Sequence, residues 1–342
     1  MIPAVIIVII TIKGGFMMKR LLIVVLVAVM VAPFIFANGG SEKGGQAGAK
    51  TAEWPTKPIE VIVPAGPGGD TDVNCRILAK YLEKELGQPV VVVNVGGAGG
   101  SLGSRRVLDA RPDGNTVLFF HPGLLLNKLL GLVDYSFQDY KLGGLAVLDE
   151  TNAFVGSAKA PYKDMRDITE ASRKNPESIS FATEVGSFTH LHLLAYQQAA
   201  GVKLNIVDVG GAAAKTAALL GNQIDIIGTQ YGLVSDYIKS GDFHALGVMS
   251  EKRNPAFSDV PTFKEMGYDV SFTKFFYYAF PKETPDSVIN TFTAALKNVV
   301  NNPDYAAEAN KTLLVTATYM TPKDTFDFLS EQEAMYKSIM GN

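Results

Sequence analysis

The 342-residue chain contains one cysteine, one tryptophan and four histidines, and it carries no excess of base over acid. The single thiol, Cys75, excludes an internal disulfide. With 31 Lys and Arg against 34 Asp and Glu, and no basic stripe, the balance is opposite to that of a nucleic-acid binder. The apolar run Leu21 to Phe36 has 16 residues, short of the roughly 20 that a membrane-spanning helix requires. His190 and His192 stand two apart on a helix, on different faces, with no third ligand placed to complete a metal site. The spacing therefore predicts neither metal nor other cofactor.

What the amino terminus does have is a pattern for export. Lys19 and Arg20 precede the apolar run, and the small residue Ala37 ends it, as in a secretory signal peptide cleaved after residue 37. The competing reading is an uncleaved anchor. Residues 1–16 form a second short apolar patch, and Met17 or Met18 before Lys-Arg makes a more natural start. Cleavage removes Lys13, Lys19 and Arg20, leaving 28 basic side chains against 34 acidic ones. Residues 38–53, NGGSEKGGQAGAKTAE, have no apolar period and read as a flexible linker.

From residue 54 the chain alternates short β-branched runs with amphipathic stretches, which is α/β patterning, and its length favours two lobes. Strands are predicted at Ile59–Val63, Val90–Val93, Val117–Phe120, Ile179–Ala182, Leu204–Val207, Ile224–Ile227 and Ala245–Met249. Helices are predicted at Val73–Leu86, Ser101–Ala110, His190–Ala200, Ala213–Leu220 and Asp286–Asn301. Four consecutive valines at 90–93 suggest a parallel strand covered on both faces. The aromatic run Phe272 to Phe280 reads as the return crossing into the first lobe. The lobes expected are 54–153 plus 276–342, and 154–275.

Three turns each follow a strand and open a helix: PAGPGGDTD at 64–72, GGAGGSLG at 96–103 and EVGSFTHLH at 184–192. A helix start presents unpaired N–H groups and partial positive charge, so it holds an anion without Arg or Lys. Each turn taken singly also reads as an ordinary tight connection. Asp70, Thr71 or Asp72 is expected to cap the first helix, with Asp72 turned back to organise the loop and Thr71 donating to a ligand. The second turn is not a dinucleotide fingerprint, because the third glycine falls at Leu102. Ser187 near His190 lacks the elbow sequence of a hydrolase nucleophile, so Ser187 and Thr189 read as ligand donors.

PAGPGGDTD, NVGGAGGSLG, ARPDGNT and GSFTHLHLLAYQQAAG, in this order, together with Trp54 to Ile59, Leu220 to Asp225 and Asp259 to Thr262, closely resemble the tripartite tricarboxylate transporter substrate-binding family, or Bug-type receptors. The resemblance implies a two-lobed periplasmic-binding-protein fold with a small organic carboxylate in the interlobe cleft. It further implies delivery to a permease of one large and one small integral-membrane subunit. Carried over by position, the first-lobe contacts are Ala65, Gly66, Gly68, Gly69, Thr71, Asp72, Gly97, Ala98, Gly99 and Gly100. The second-lobe contacts are Ser187, Thr189, His190, Gly211, Thr229 and Gln230.

Three departures bear on the ligand. Ala65 stands where the family usually has an aromatic, Asp208-Val209-Gly210-Gly211 replaces Pro-Tyr-Lys-Gly, and Phe275-Phe276-Tyr277 replaces Trp-Tyr-Gly. Phe275 is expected to offer the ligand a flat apolar wall, and the pocket to suit a larger or less charged acid than citrate. The expectation is a periplasmic, monomeric, non-enzymatic receptor with no nucleic-acid partner. The alternatives are a secreted α/β enzyme acting on a carboxylate and a ligand sensor for a membrane signalling protein.

Overall fold

The computed structural model describes residues 54–340. The expected signal peptide and linker lie outside the described residues. The chain enters through β1 (Ile59–Val63), α1 (Asp70–Leu86) and β2 (Val90–Asn94), then α2 (Ser101–Leu108), β3 (Thr116–Phe120), α3 (Gly123–Leu129) and the long β4 (Tyr140–Asp149). β1 lies parallel to both β2 and β3. The apolar face of α1 buries Ile77, Leu78, Tyr81 and Leu82, and Gly87, at φ 66, ends the helix by donating its N–H to Glu83 O.

After β4 the chain changes sheet. β5 (Asn152–Ser157), α4 (Met165–Lys174), β6 (Ser180–Ala182), α5 (Phe188–Ala200), β7 (Asn205–Val207), α6 (Ala212–Leu220), β8 (Ile226–Gln230), α7 (Tyr231–Lys239) and β9 (Phe243–Val248) build a five-stranded sheet ordered β7-β6-β8-β5-β9. β10 (Lys274–Pro281) returns to the first sheet. α8 (Asp286–Val300), α9 (Pro303–Leu313), β11 (Thr316–Met320) and α10 (Pro322–Met340) complete the chain, and the first sheet reads β11-β4-β10-β3-β1-β2. Both sheets are mixed, three parallel strands being joined to antiparallel ones in each. Strand pairing puts the sheet changes between Asp149 and Asn152 and before Lys274.

Two expectations are corrected. β2 is the edge strand of its sheet, so Val91 is 48% exposed instead of covered on both faces. β10 lies between β3 and β4, so all eight of its residues are buried. Phe275 packs edge-on against Phe328, with ring centroids 5.0 Å apart, and Phe276 stacks on Phe119. A central strand has both faces covered, so the Phe275 ring serves the core and does not wall the cleft. One apolar cluster runs through both sheets' inner ends, from Phe120 and Leu126 to Phe154, Phe181 and Phe188. Tyr336 of α10 joins it against Phe188 and Phe272.

Candidate functional site

The carboxyl ends of β1, β2 and β3 and the amino ends of α1, α5 and α6 converge on a cleft of about 330 Å³. Parallel strands followed by helices produce this placement, because every strand-to-helix turn then opens at the same edge of its sheet. Of the residues expected from sequence, Ala65, Gly66, Gly69, Thr71, Gly97, Ser187, Thr189 and Gly211 line the cleft. The first four and Gly97 come from one sheet's turns, and the last three from the other's.

The rest of the expected set lies off this lining, with Gly68 and Ala98 exposed. Asp72 is 3% exposed and organises the first turn as expected: its carboxylate accepts from Gly68 N, Arg76 Nε and Asn94 Nδ2, each at 2.9 Å. The helix cap, however, is Gly69, and it makes no side-chain cap bond. Asp70, Thr71 and Asp72 all fall inside the first turn, because Asp72 satisfies the loop from within the helix and leaves the cap position to a residue without a side chain. Ala98, Gly99 and Gly100 form a tight 3-10 turn in front of α2. The Gly99 N–H donates to Glu184 Oε1 at 3.0 Å, reaching from one sheet's turn to the other's.

His190 lies off the lining, its Nδ1 facing Gly186 N at 3.4 Å. Thr229 is buried within β8. Gln230 points to the chain crossing, where its Nε2 donates to Asp149 Oδ2 at 2.8 Å. Asp149 is fully buried and also accepts from Thr151 N, Thr151 Oγ1 and Asn152 Nδ2. That set of donors ties the end of β4 to β5 and β8, so Gln230 serves the crossing and not the lining.

Four charged side chains line the cleft, Asp70, expected only as a helix cap, and Glu184, Lys215 and Lys274, to which the sequence pattern gave no role, with His121 beside them. Lys274 donates to Asp70 Oδ2, and both side chains are largely buried, at 6% and 15% exposure. Burial works against ionising Asp70, but the Lys274 ammonium outweighs it and holds the carboxyl down to about 2. Lys215 donates to Gly228 O at 2.7 Å and approaches Thr189 Oγ1 at 3.4 Å. Among the described residues no carboxylate forms an ion pair with it, and burial lowers it to about 8. His121 Nδ1 accepts from Gly123 N at 2.9 Å, leaving the ring proton on Nε2, and burial keeps the ring neutral well below its ordinary titration.

The hydroxyls expected as donors form a cluster. Thr183 Oγ1 lies 2.8 Å from Thr189 Oγ1 and 3.1 Å from Ser187 Oγ, and Ser187 also caps α5 by accepting from His190 N. A clue to the missed lysines was present in sequence. Lys215 is the one charge in AAAKTAALL, and Lys274 the one charge in KFFYYAFP. A lone charge inside an apolar element carries a desolvation cost that argues for a specific role.

Among the described residues, no helix is long and apolar enough to cross a membrane. The family model described as tripartite tricarboxylate transporter family receptor matches residues 74–342. A UPF0065 protein of Agrobacterium vitis is 32% identical over 254 residues, 73% of this chain and 73% of that protein. The structure of the periplasmic binding protein BugD superposes with a TM-score of 0.78 at 28% identity, covering 84% of this chain and 98% of the other. MatC of Rhodopseudomonas palustris, solved with bound malate, shares the fold with a TM-score of 0.78 at 22% identity, over 84% of this chain and 99% of its own.

Proposed function

The chain belongs to the tripartite tricarboxylate transporter receptor family, and on that premise we propose that it is a periplasmic solute-binding receptor capturing a small organic carboxylate between its two lobes. The observation that carries this reading is Lys215. Among the described residues this buried ammonium has no carboxylate at ion-pair distance, Asp70, Glu184 and Asp208 acting on it only from farther off, and it stands where the starts of α1, α5 and α6 add further positive potential. An incoming carboxylate supplies the missing countercharge, with Thr71, Ser187 and Thr189 as hydroxyl partners and the amides of Gly66, Gly69, Gly97 and Gly211 within the same cleft.

Binding without turnover fits the side chains at hand. Ser187 Oγ is engaged with Thr183 and Thr189 hydroxyls, and among the described residues no imidazole nitrogen hydrogen-bonds to it. Closure of the lobes follows from a ligand that touches both, since differential affinity for the closed arrangement drives the motion. In this reading the mature chain starts after residue 37, acts as a monomer without a cofactor, and hands its ligand to a permease of one large and one small membrane subunit.

Titration calorimetry with organic acids tests the binding role. A thermal-shift screen reads the same event, since ligand at a hundred times its dissociation constant adds about 2.7 kcal/mol of stability. Absence of binding across mono-, di- and tricarboxylates, amino acids included, sinks the reading. Failure to co-purify with the two permease subunits in the presence of ligand removes the delivery role alone.

A further inference from the structure

The ion pair between Lys274 and Asp70 leaves one acid and one base in the cleft, Glu184 and Lys215, that form no ion pair among the described residues. Among the described residues the Glu184 carboxylate takes a single hydrogen bond, from Gly99 N at 3.0 Å, and that bond uses one oxygen. Lys215 is held by neutral oxygens only. His121 is neutral and adds no charge. The cleft therefore presents a positive pole and a negative pole to whatever occupies it.

A plain dicarboxylate satisfies Lys215 with one end but brings a second negative charge into the cleft it shares with the partly buried Glu184. Like charges brought together in such a site select strongly against that ligand. A ligand with a carboxylate at one end and an ammonium nearby satisfies both poles. A cleft of about 330 Å³ lies in the range of sites that hold a small organic molecule.

Resting on the receptor reading above, we propose that the ligand is a zwitterion, an amino acid whose carboxylate meets Lys215 and whose ammonium meets Glu184. Glu184 is then the residue that sets specificity. Its outer oxygen receives the ammonium, while its bond to Gly99 N keeps the two facing turns together around the ligand.

The test is calorimetry on the purified mature chain at pH 7 with matched pairs that differ only in the amino group: L-glutamate with glutarate, L-aspartate with succinate, L-leucine with 4-methylpentanoate. The expected result is at least tenfold tighter binding of an amino acid than of its partner. In Glu184→Gln, which is isosteric and still accepts from Gly99 N, the ratio is expected to collapse toward one, with the far-ultraviolet circular dichroism and thermal midpoint of the ligand-free protein retained. Should this variant not fold, the wild-type ratio decides by itself. A desamino acid that binds as tightly as its amino counterpart, or better, overturns the zwitterion proposal and leaves the receptor reading standing. Binding of no acid in any pair overturns the zwitterion proposal, and the receptor reading falls with it only when the wider screen of mono-, di- and tricarboxylates is blank as well.

Discussion

Lys274 on β10 donates to the carboxylate of Asp70 in the first turn of α1, 204 residues away in sequence. The ammonium also lies 5.3 Å from the centre of the Phe276 ring and 5.9 Å from that of Phe188. One cation thus ties the returning strand, the first helix and the start of α5 to the same floor of the cleft.

Because both members are buried, removing one strands the other. Lys274→Met is expected to destabilise the ligand-free protein by about 3–5 kcal/mol, the usual consequence of an uncompensated buried charge. Adding Asp70→Asn should return much of that loss, which urea denaturation of the single and double variants measures. The folded pKa of Asp70, about 2, lies below its ordinary 3.8, so the folded state binds fewer protons between these values. Its contribution is therefore complete above about pH 4 and is lost as pH falls toward 2. A denaturation series over that range should show no such loss in the double variant.

Affinity should depend on the protonation of Lys215. The free protein holds this group near 8, and only the ammonium attracts a carboxylate. Calorimetry is expected to give a constant affinity from pH 6 to 7 and a fall above pH 8 approaching tenfold per unit. Lys215→Met should weaken binding by about 2–5 kcal/mol and abolish that alkaline limb. Folding stability should hold or rise in this variant, since burying a thioether costs less than burying a charge.

The Thr71 side chain lines the cleft at 1% residue exposure, with its hydroxyl 3.4 Å from Asp70 Oδ1. Thr71→Ala is expected to weaken ligand binding by about 1–3 kcal/mol if the hydroxyl meets a buried ligand oxygen. An unchanged dissociation constant takes Thr71 out of the contact set.

Gly100 has φ 91, and a Cβ there would fall 2.3 Å from Phe120 Cζ and 3.0 Å from Pro64 O. Gly100→Ala combines left-handed strain with overpacking, for an expected loss of about 2–4 kcal/mol in chemical denaturation. Gly66→Ala, with nothing within 4 Å of the added carbon, is the matched control and should cost little.

Much of the architecture was readable from local pattern. β1, α1 from Val73 onward and β3 follow the alternation of β-branched runs with amphipathic stretches, and Gly87 ends α1 where a left-handed residue was needed. What local pattern could not supply was each strand's rank in its sheet. The valines of β2 and the aromatics of β10 are both continuous apolar runs, yet one lies at an edge and the other between two neighbours. Neighbourhood is set by pairings over long sequence separations, and composition does not encode it.

The candidate site divides in the same way. Glycine-rich turns opening helices are local objects, so the turns holding Gly69 and Gly97 could be named from spacing, while Gly211 came from the family resemblance, and all three share one cleft. Gln230 and Phe275 resembled contacts by position, but the chain crossing and the sheet interior claim their side chains.

By itself the sequence determined the kinds of element and the anion-friendly turns between them, since helix periodicity, strand alternation and glycine dihedrals act over a few residues. Only the tertiary structure decided the charge in the cleft. It set Lys274 against Asp70 and, among the described residues, left Lys215 and Glu184 without an ion pair, because whether a buried charge is neutralised depends on which distant segment packs within a few ångströms of it.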